Sequence, residues 1–483
     1  MKCKSLLLLF ALPLTASAQT AVTLDMDRIV TMSTNSSMSA ELHRSVYEES
    51  RYKWLEWQAS RKPQITLETT PVEYTQYMVQ RYMSDIDRDV YRQRKSLYST
   101  AAINVEQVME RWGGRFYANT GLSYLGTFGD INDNQYATIP VQVGYRQDLF
   151  GYNPYRWARQ TEPLKLTVAE QQKNYDTEQT AEEAVKRFFM LAAAQEQLQM
   201  AKENMQSCDT IYAIASRRFQ VASISKAELS ILELQLANAR NTLTLAQLEH
   251  QRATKELATW IGLDPTAQLQ LLVPQVLPTI HVSADDAIAK AEENNPHYLS
   301  SQLSILEAER EAAQLKQQKG LNASIDASVG LNQVADRFAD AYRSPLVQNQ
   351  VQLKVSIPIS DFGRKRNAWL AAQQKVQSAT HLSQETRRDT QLDVVQTVAE
   401  VNERQTIATQ VRQALHIAED AYTATLQRFI RGQANVNDLA LAQNYWQSAR
   451  SNQIEALKNF WLSYYHLRAI TLYDFLKSQP VRH

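Results

Sequence analysis

Apolar residues recur alternately every three and four positions through four long stretches of the chain, the spacing of a coiled-coil seam. One stretch runs Leu198, Ala201, Met205, Cys208, Tyr212, Ala215 and Phe219. It resumes as Leu229, Leu232, Leu236, Ala239, Leu243, Ala246, His250, Ala253, Leu257 and Trp260. The same register returns 210 residues later, as Ala408, Val411, Leu415, Ala418, Tyr422, Thr425 and Phe429, then Leu439, Ala442, Trp446, Ala449, Gln453, Ala456, Phe460, Ser463, Leu467 and Ile470. Between the paired stretches lie RFQVASISKAEL, 218–229, and RFIRGQANVNDL, 428–439, which read as tips of two helical hairpins. A register held through two helices and a turn, twice, points to an internal duplication.

Elsewhere the period changes to two. Ala323, Ile325, Ala327, Val329 and Leu331 alternate with Ser324, Asp326, Ser328 and Gly330, the mark of a two-faced strand. A return strand follows, with Val351, Leu353, Val355, Ile357 and Ile359 against polar neighbours apart from Pro358. In the first half Ile65, Leu67 and Thr69 open the alternation, and Val141, Val143 and Tyr145 close it. A helical stretch, Leu24 to about Lys62, precedes the first strands and recurs as Val282 to Gly320 at an offset of 258. Both halves re-enter helix through similar corners, DLFGYNPYRW at 148–157 and SDFGRKRNAW at 360–369, with Gly151 and Gly363 expected to supply the backbone freedom. A proline-marked connector from Gly262 to His281 separates a first repeat, 19–270, from a second, 271–483.

The halves differ most over residues 69–139, where offsets of 258 and 212 leave about 46 extra residues in the first. This insert is rich in Tyr and Arg and reads either as a long extracellular loop or as an additional strand pair turning at Gly113-Gly114. The loop is favoured, because Glu106, Glu110 and Arg111 interrupt the alternation.

Composition narrows the partners. The 483 residues hold 51 basic and 51 acidic side chains; without Lys2 and Lys4, 49 against 51 leaves about −2, which disfavours nucleic acid. Those lysines precede an apolar run, Leu6 to Leu14, and Ala16-Ser17-Ala18, so 1–18 reads as a secretory leader. No later run is long and apolar enough for a transmembrane helix. In lipid a two-faced strand pair must close into a barrel, and four strands are too few for one chain. The expected fold is therefore mainly α with a β-barrel portion, shared among copies: three chains of four strands would make twelve.

The leader, the duplicated order of helix, strands, long helix, tip and long helix, the NNP at 294–296 and the RFxxG tip followed by a D-L pair resemble the TolC-type outer-membrane efflux proteins. PLKL at 163–166, RRF at 217–219 and ELSILELQLANAR at 228–240 are similar to the branch common in Bacteroidetes-type bacteria. The resemblance implies a homotrimer: a 12-stranded barrel in outer-membrane lipid continuing into a periplasmic α-helical barrel. It implies an inner-membrane pump of RND type and a periplasmic adaptor (membrane fusion) protein that docks on the tips.

Carried over to this sequence, the adaptor-docking positions are Arg218, Phe219, Ala222, Ser223, Arg428, Phe429, Gly432 and Gln433. A helix turn explains the same residues, since Gly432 suits a left-handed cap. Glu228 and Asp438 fall where the family narrows its duct, and a ring of carboxylates would attract cations. Ser225-x-x-Glu228 and Asn435-x-x-Asp438 are equally capping boxes. The family's latch uses a tyrosine and an arginine where this chain has Phe429 and Ala434, which do not supply that chemistry. Phe150, Tyr152, Tyr155, Trp157, Phe362 and Trp369 gather at the strand-to-helix corners, as a membrane-interface belt or as ordinary packing. Cys208 and His250 read as seam residues, and the histidines show no metal-ligand spacing.

No catalytic motif is present, so no enzyme and no cofactor are expected. The function expected is a passive exit duct of a tripartite efflux system. The alternatives are a conduit for a type I protein secretion system and a secreted soluble coiled-coil scaffold.

Overall fold

The computed structural model describes residues 22–85, 87–129, 132–221 and 224–481. The expected leader, 1–18, and the tip residues Ala222 and Ser223 lie outside them. In chain order the elements are β1 (Val22–Asp25), α1 (Met26–Ser36), α2 (Met38–Ser60), β2 (Gln64–Met83), β3 (Arg88–Met109), β4 (Gly114–Phe128), β5 (Asp133–Leu149), α3 (Pro154–Gln220) and α4 (Lys226–Trp260). There follow β6 (Leu269–Leu272), α5 (Ala284–Asn294), α6 (Pro296–Gln318), β7 (Asn322–Ala335), β8 (Leu346–Ser356), α7 (Arg364–Ile430), α8 (Val436–Thr471), β9 (Tyr473–Asp474) and β10 (Gln479–Pro480).

Element bounds recur at the offsets read from the sequence. Adding 258 to α1 and α2 gives the bounds of α5 and α6, and adding 210 to α3 gives those of α7. The expected helix from Leu24 to Lys62 is interrupted at Ser37, as its counterpart is at Asn295, and it opens with β1, which pairs parallel with β6. The NNP asparagines explain the second interruption. Asn295 Nδ2 donates to Ile470 O at 2.8 Å and Asn294 Nδ2 to Thr471 O at 3.4 Å, satisfying carbonyls at the end of α8. Pro296 then starts α6, where its missing N–H costs nothing.

The chain forms two compact units, and each takes segments from both halves of the sequence. One contains the described residues up to Val46, Gln171–Asn295 and those from Asp389 onward; the other contains Tyr47–Glu170 and Pro296–Arg388. The first unit is helical and is built on the seam. Leu232, Leu236, Ala239, Ala246, Ala253 and Leu257 of α4 are buried, as the period requires. Its core holds Phe188, Phe189, Phe460, Tyr464 and Leu467, all at most 1% exposed. Among the described residues, no helix is long and apolar enough to cross a membrane.

The second unit carries one antiparallel sheet of six strands, in the order β2, β3, β4, β5, β7, β8. The insert is therefore not a loop: it supplies strand rather than irregular chain, and the sheet has six strands where four were expected. Glu106 does not interrupt the alternation. It lies on the polar face opposite Gln64, with Arg115 of the next strand 3.7 Å away. Glu110 and Arg111 belong to the turn that ends at Gly113, where φ is +78°. Only the outer end of β2 and β3, 77–83 with 88–94, lacks a third strand, because β3 meets β4 no further out than Lys95 opposite Phe128.

The register separates the faces row by row. Ile65, Val105, Ala118, Val143, Val329 and Asn349 stand opposite one another across all six strands. One residue along, the row is Gln64, Glu106, Tyr117, Gly144, Ser328 and Gln350. Successive residues point to opposite faces, so one face is apolar and the other polar. The apolar face is bare: Ile65 is 71% exposed, Leu67 68% and Val351 74%. The polar face is internally bonded, with Asp326 accepting from Tyr117 Oη and from Arg146 Nε, each at 2.7 Å.

Candidate functional site

The tips are built by caps at one end and by a shared core beneath. In the second, α7 ends at Ile430 and Gly432 adopts φ +76° with nothing within 4 Å of the space a Cβ would fill. Gln433 N donates to Arg428 O at 2.8 Å, and Gly432 N to Phe429 O at 3.0 Å. Asn435 then caps α8: Asp438 N donates to Asn435 Oδ1 at 2.8 Å, and Asn435 N returns a bond to the Asp438 carboxylate at 3.3 Å. The first tip repeats the chemistry. Glu228 N donates to Ser225 Oγ at 3.2 Å, while Ser225 N donates to Glu228 Oε2 at 2.8 Å. Those bonds from Ser225 hold the Glu228 carboxyl below the usual carboxylate range. The capping reading of both acidic residues is thus realised, and both side chains remain exposed.

Below the tips, Ile211, Ala215, Leu232, Phe429 and Leu439 form one buried cluster, joined at its margin by Tyr212, Ile224 and Val436. The structure therefore separates the proposed docking residues. Phe429 is a core residue at 7% exposure, whereas Phe219 is 39% exposed and Arg428, Gly432 and Gln433 are on the surface. Arg218 is half-buried. Val221 and Ile430, exposed at 72% and 61%, stand at the unspecified positions of the two tip motifs and off the seam, where neither pattern draws attention to them.

The corner aromatics also divide. Phe150 and Phe362 hold positive φ, 60° and 53°, and project almost completely, at 81% and 101% exposure. A non-glycine side chain in that region is strained by roughly 1–2 kcal/mol. The backbone freedom expected of Gly151 thus resides in Phe150. Gly151 serves closeness instead, since a Cβ there would stand 2.9 Å from Gln317 Nε2. Gly363, with φ +84°, matches the expectation. Trp369 is covered by Lys319, whose Nζ lies 3.3 Å from the ring centroid. Tyr152 and Trp157 line a cleft with Lys316 and Gln317, and Tyr155 is half-buried.

Three charge clusters in the helical unit were not visible in the sequence. Arg450 spans Glu196 and Glu203, at 2.5 and 2.6 Å. Arg468 reaches the fully buried Glu178 at 2.9 Å and Asp474 at 3.5 Å. His466 lies 3.2 Å from Glu182 of α3 and 3.5 Å from Asp393 of α7, and its bonds to these two carboxylates push its pKa up to about 10. Each joins α8 to a residue of α3 or α7 between 73 and 290 positions away, a pairing that no local period reveals.

Cys208 and His250 are half-buried in the seam, and burial raises the thiol pKa and lowers that of the imidazole. Among the described residues, no group of His, Cys, Asp and Glu is placed to hold a metal ion.

A second apolar stripe lies on α4, off the seam: Ile231 and Leu234, then Leu245 and Leu248 fourteen residues on, are each more than half exposed. The seam, followed alone, does not single these residues out.

A family model described as outer membrane efflux protein matches residues 113–263 and 287–471. No curated protein matches. Among solved structures, the fold is similar to the Campylobacter jejuni CmeC outer membrane channel, with TM-score 0.69 and 12% identity over 95% of this chain and 87% of that one. It is similar to the Vibrio cholerae outer membrane protein VceC, with TM-score 0.64 and 13% identity over 95% and 97%. It is also similar to the open state of the Neisseria gonorrhoeae MtrE outer membrane channel, with TM-score 0.63 and 10% identity over 95% and 91%.

Proposed function

Because the chain belongs to the outer membrane efflux protein family, we propose that it works as a homotrimeric, non-catalytic exit duct that spans the outer membrane and extends into the periplasm. It passes small molecules delivered by an inner-membrane pump of RND type through a periplasmic adaptor. The observation that carries this reading is the sheet with one bare apolar face, one bonded polar face and, among the described residues, both edge strands unpaired. In lipid such edges find partners only in a closed barrel. One chain with two free edges therefore calls for further copies.

The repeated element bounds support a duplicated unit, and the two capped tips are its periplasmic ends. There Arg428, Gly432 and Gln433 offer an exposed surface on a rigid base, the kind of place an adaptor grips. Glu228, eight residues beyond the end of α3, and Asp438, eight beyond the end of α7, form the acidic ring of the narrowing. Phe150 and Phe362 sit at the membrane interface, where exposed aromatic rings are favoured.

The test is extraction and reconstitution of the full chain. Outer membranes should release it only with detergent, as a trimer by native mass measurement, and the trimer should conduct in planar bilayers. Arg428→Glu combined with Gly432→Val should leave trimer and conductance unchanged and abolish export. A monomer released by aqueous buffer would overturn the duct, and unchanged export would remove these two positions from the docking surface.

A further inference from the structure

We propose that the membrane barrel is eighteen-stranded, closed by pairing β2 of each chain with β8 of the next, because three copies of the six-stranded sheet make eighteen. The inference rests on the trimeric duct proposed above and goes beyond it in the identity of the closing edge.

Four observations place β2 and β3 in the barrel wall. First, their register continues both rows of the sheet: Ile65 and Val105 extend the apolar row, Gln64 and Glu106 the polar one. A hairpin laid outside the wall has no reason to keep the lipid-facing and lumen-facing alternation in step with four other strands. Second, the β4 edge that a four-stranded contribution would offer to the next copy is already occupied by β3 along fifteen consecutive pairs, Met109 opposite Gly114 through Lys95 opposite Phe128. Third, six strands alternate in direction, so the free edges β2 and β8 run opposite ways and a copy-to-copy junction stays antiparallel. Fourth, β2 begins 258 residues before β7, the offset that also relates α1 and α2 to α5 and α6, so β2 is the first half's own counterpart of β7 and the added strands β3 and β4 lie between it and β5.

The β2 edge is fit for pairing near its helical end. Pro71, which has no N–H to give, is set aside in a bulge with Val72, both facing the single residue Ser99 of β3, whose Oγ donates to Pro71 O at 2.7 Å. Below the bulge Gln64 to Thr70 form an unbroken ladder with β3 and leave their other edge free. The β8 edge is exposed over its whole length. Both are long, flat-patterned edges of the kind that soluble proteins protect, and here a second copy of the same chain is the partner whose strand direction and face alternation fit.

The consequence is width. Barrel diameter grows roughly linearly with strand number, so eighteen strands open the bore to about 1.5 times that of twelve. The tall outer ribbon, 77–83 with 88–94, would then stand at the rim of each junction.

Disulfide trapping tests this in the full chain expressed in outer membranes, with Cys208 replaced by Ala. Cysteines at Gln64, Thr66 or Glu68 are combined with cysteines at Gln350, Gln352 or Lys354, all on the polar face. A parallel set replaces the β2 positions by Tyr117, Asn119 or Gly121 of β4. The β2 with β8 set should yield covalent trimers after oxidation, and the β4 set none. Trimers that are trapped through β4, or through neither set, overturn the eighteen-stranded wall and leave the duct standing. Absence of any trimer by native mass measurement removes the duct and the wall together.

Discussion

At the scale of single residues, the acidic positions at the tips carry two roles that substitution can separate. Asp438 accepts from Asn435 N, and an amide oxygen can accept that bond equally well. Asp438→Asn therefore keeps the cap while removing one charge per subunit. If Asp438 belongs to a carboxylate ring, blockade of the channel by multivalent cations in planar bilayers should weaken severalfold with no loss of thermal stability; unchanged blockade would leave Asp438 as a cap alone. The Glu228 carboxyl is held low by its bonds from Ser225, so it should remain charged to lower pH than an ordinary glutamate. Much of this was legible in the sequence, because Ser-x-x-Glu and Asn-x-x-Asp are local patterns with a local mechanism. The exposed strain at Phe150 was not, since the residue type that normally adopts positive φ, glycine, stands one place later.

At the scale of elements, the helices could be read from their period and the ties between them could not. The seam fixes which face of α4 is buried, whereas the insert misleads because charged residues in a row of the polar face look, in one dimension, like breaks in an alternation. Glu106 is such a residue. The long-range ion pairs are similarly hidden, and His466 makes the point testable. Its pKa rises from 6.5 to about 10 through its bonds to Asp393 on α7 and Glu182 on α3, so the unfolded chain loses this proton at lower pH than the folded one. The stabilisation is thus complete below about pH 6.5 and is lost as pH rises through 10. With the side chain 38% exposed, solvent screening leaves roughly 1 kcal/mol. His466→Gln should lower the melting temperature at pH 6 and make no difference above pH 10; an equal loss at both would mean that packing, not charge, holds α8 there.

At the scale of the whole molecule, the protomer presents two surfaces that water does not favour. One is the bare apolar face of the sheet; the other is the group Ile231, Leu234, Leu245 and Leu248 on α4, in the helical unit. The two apolar pairs stand two heptads apart with Asn238 and Asn241 between them; apolar pairs so placed on one helix face are what an opposing helix covers, and in the homotrimer proposed above that helix comes from a neighbouring copy. Leu245 and Leu248 are 66% and 60% exposed in the protomer, so acidic substitution costs the isolated fold little. Between subunits the same change forfeits roughly 3–6 kcal/mol of leucine burial per copy and places carboxylates in an apolar seam. Leu245→Glu with Leu248→Glu should therefore retain wild-type helical circular dichroism yet appear as monomers in detergent by native mass measurement. Intact trimers of undiminished heat resistance would show that this stripe faces something other than a second copy.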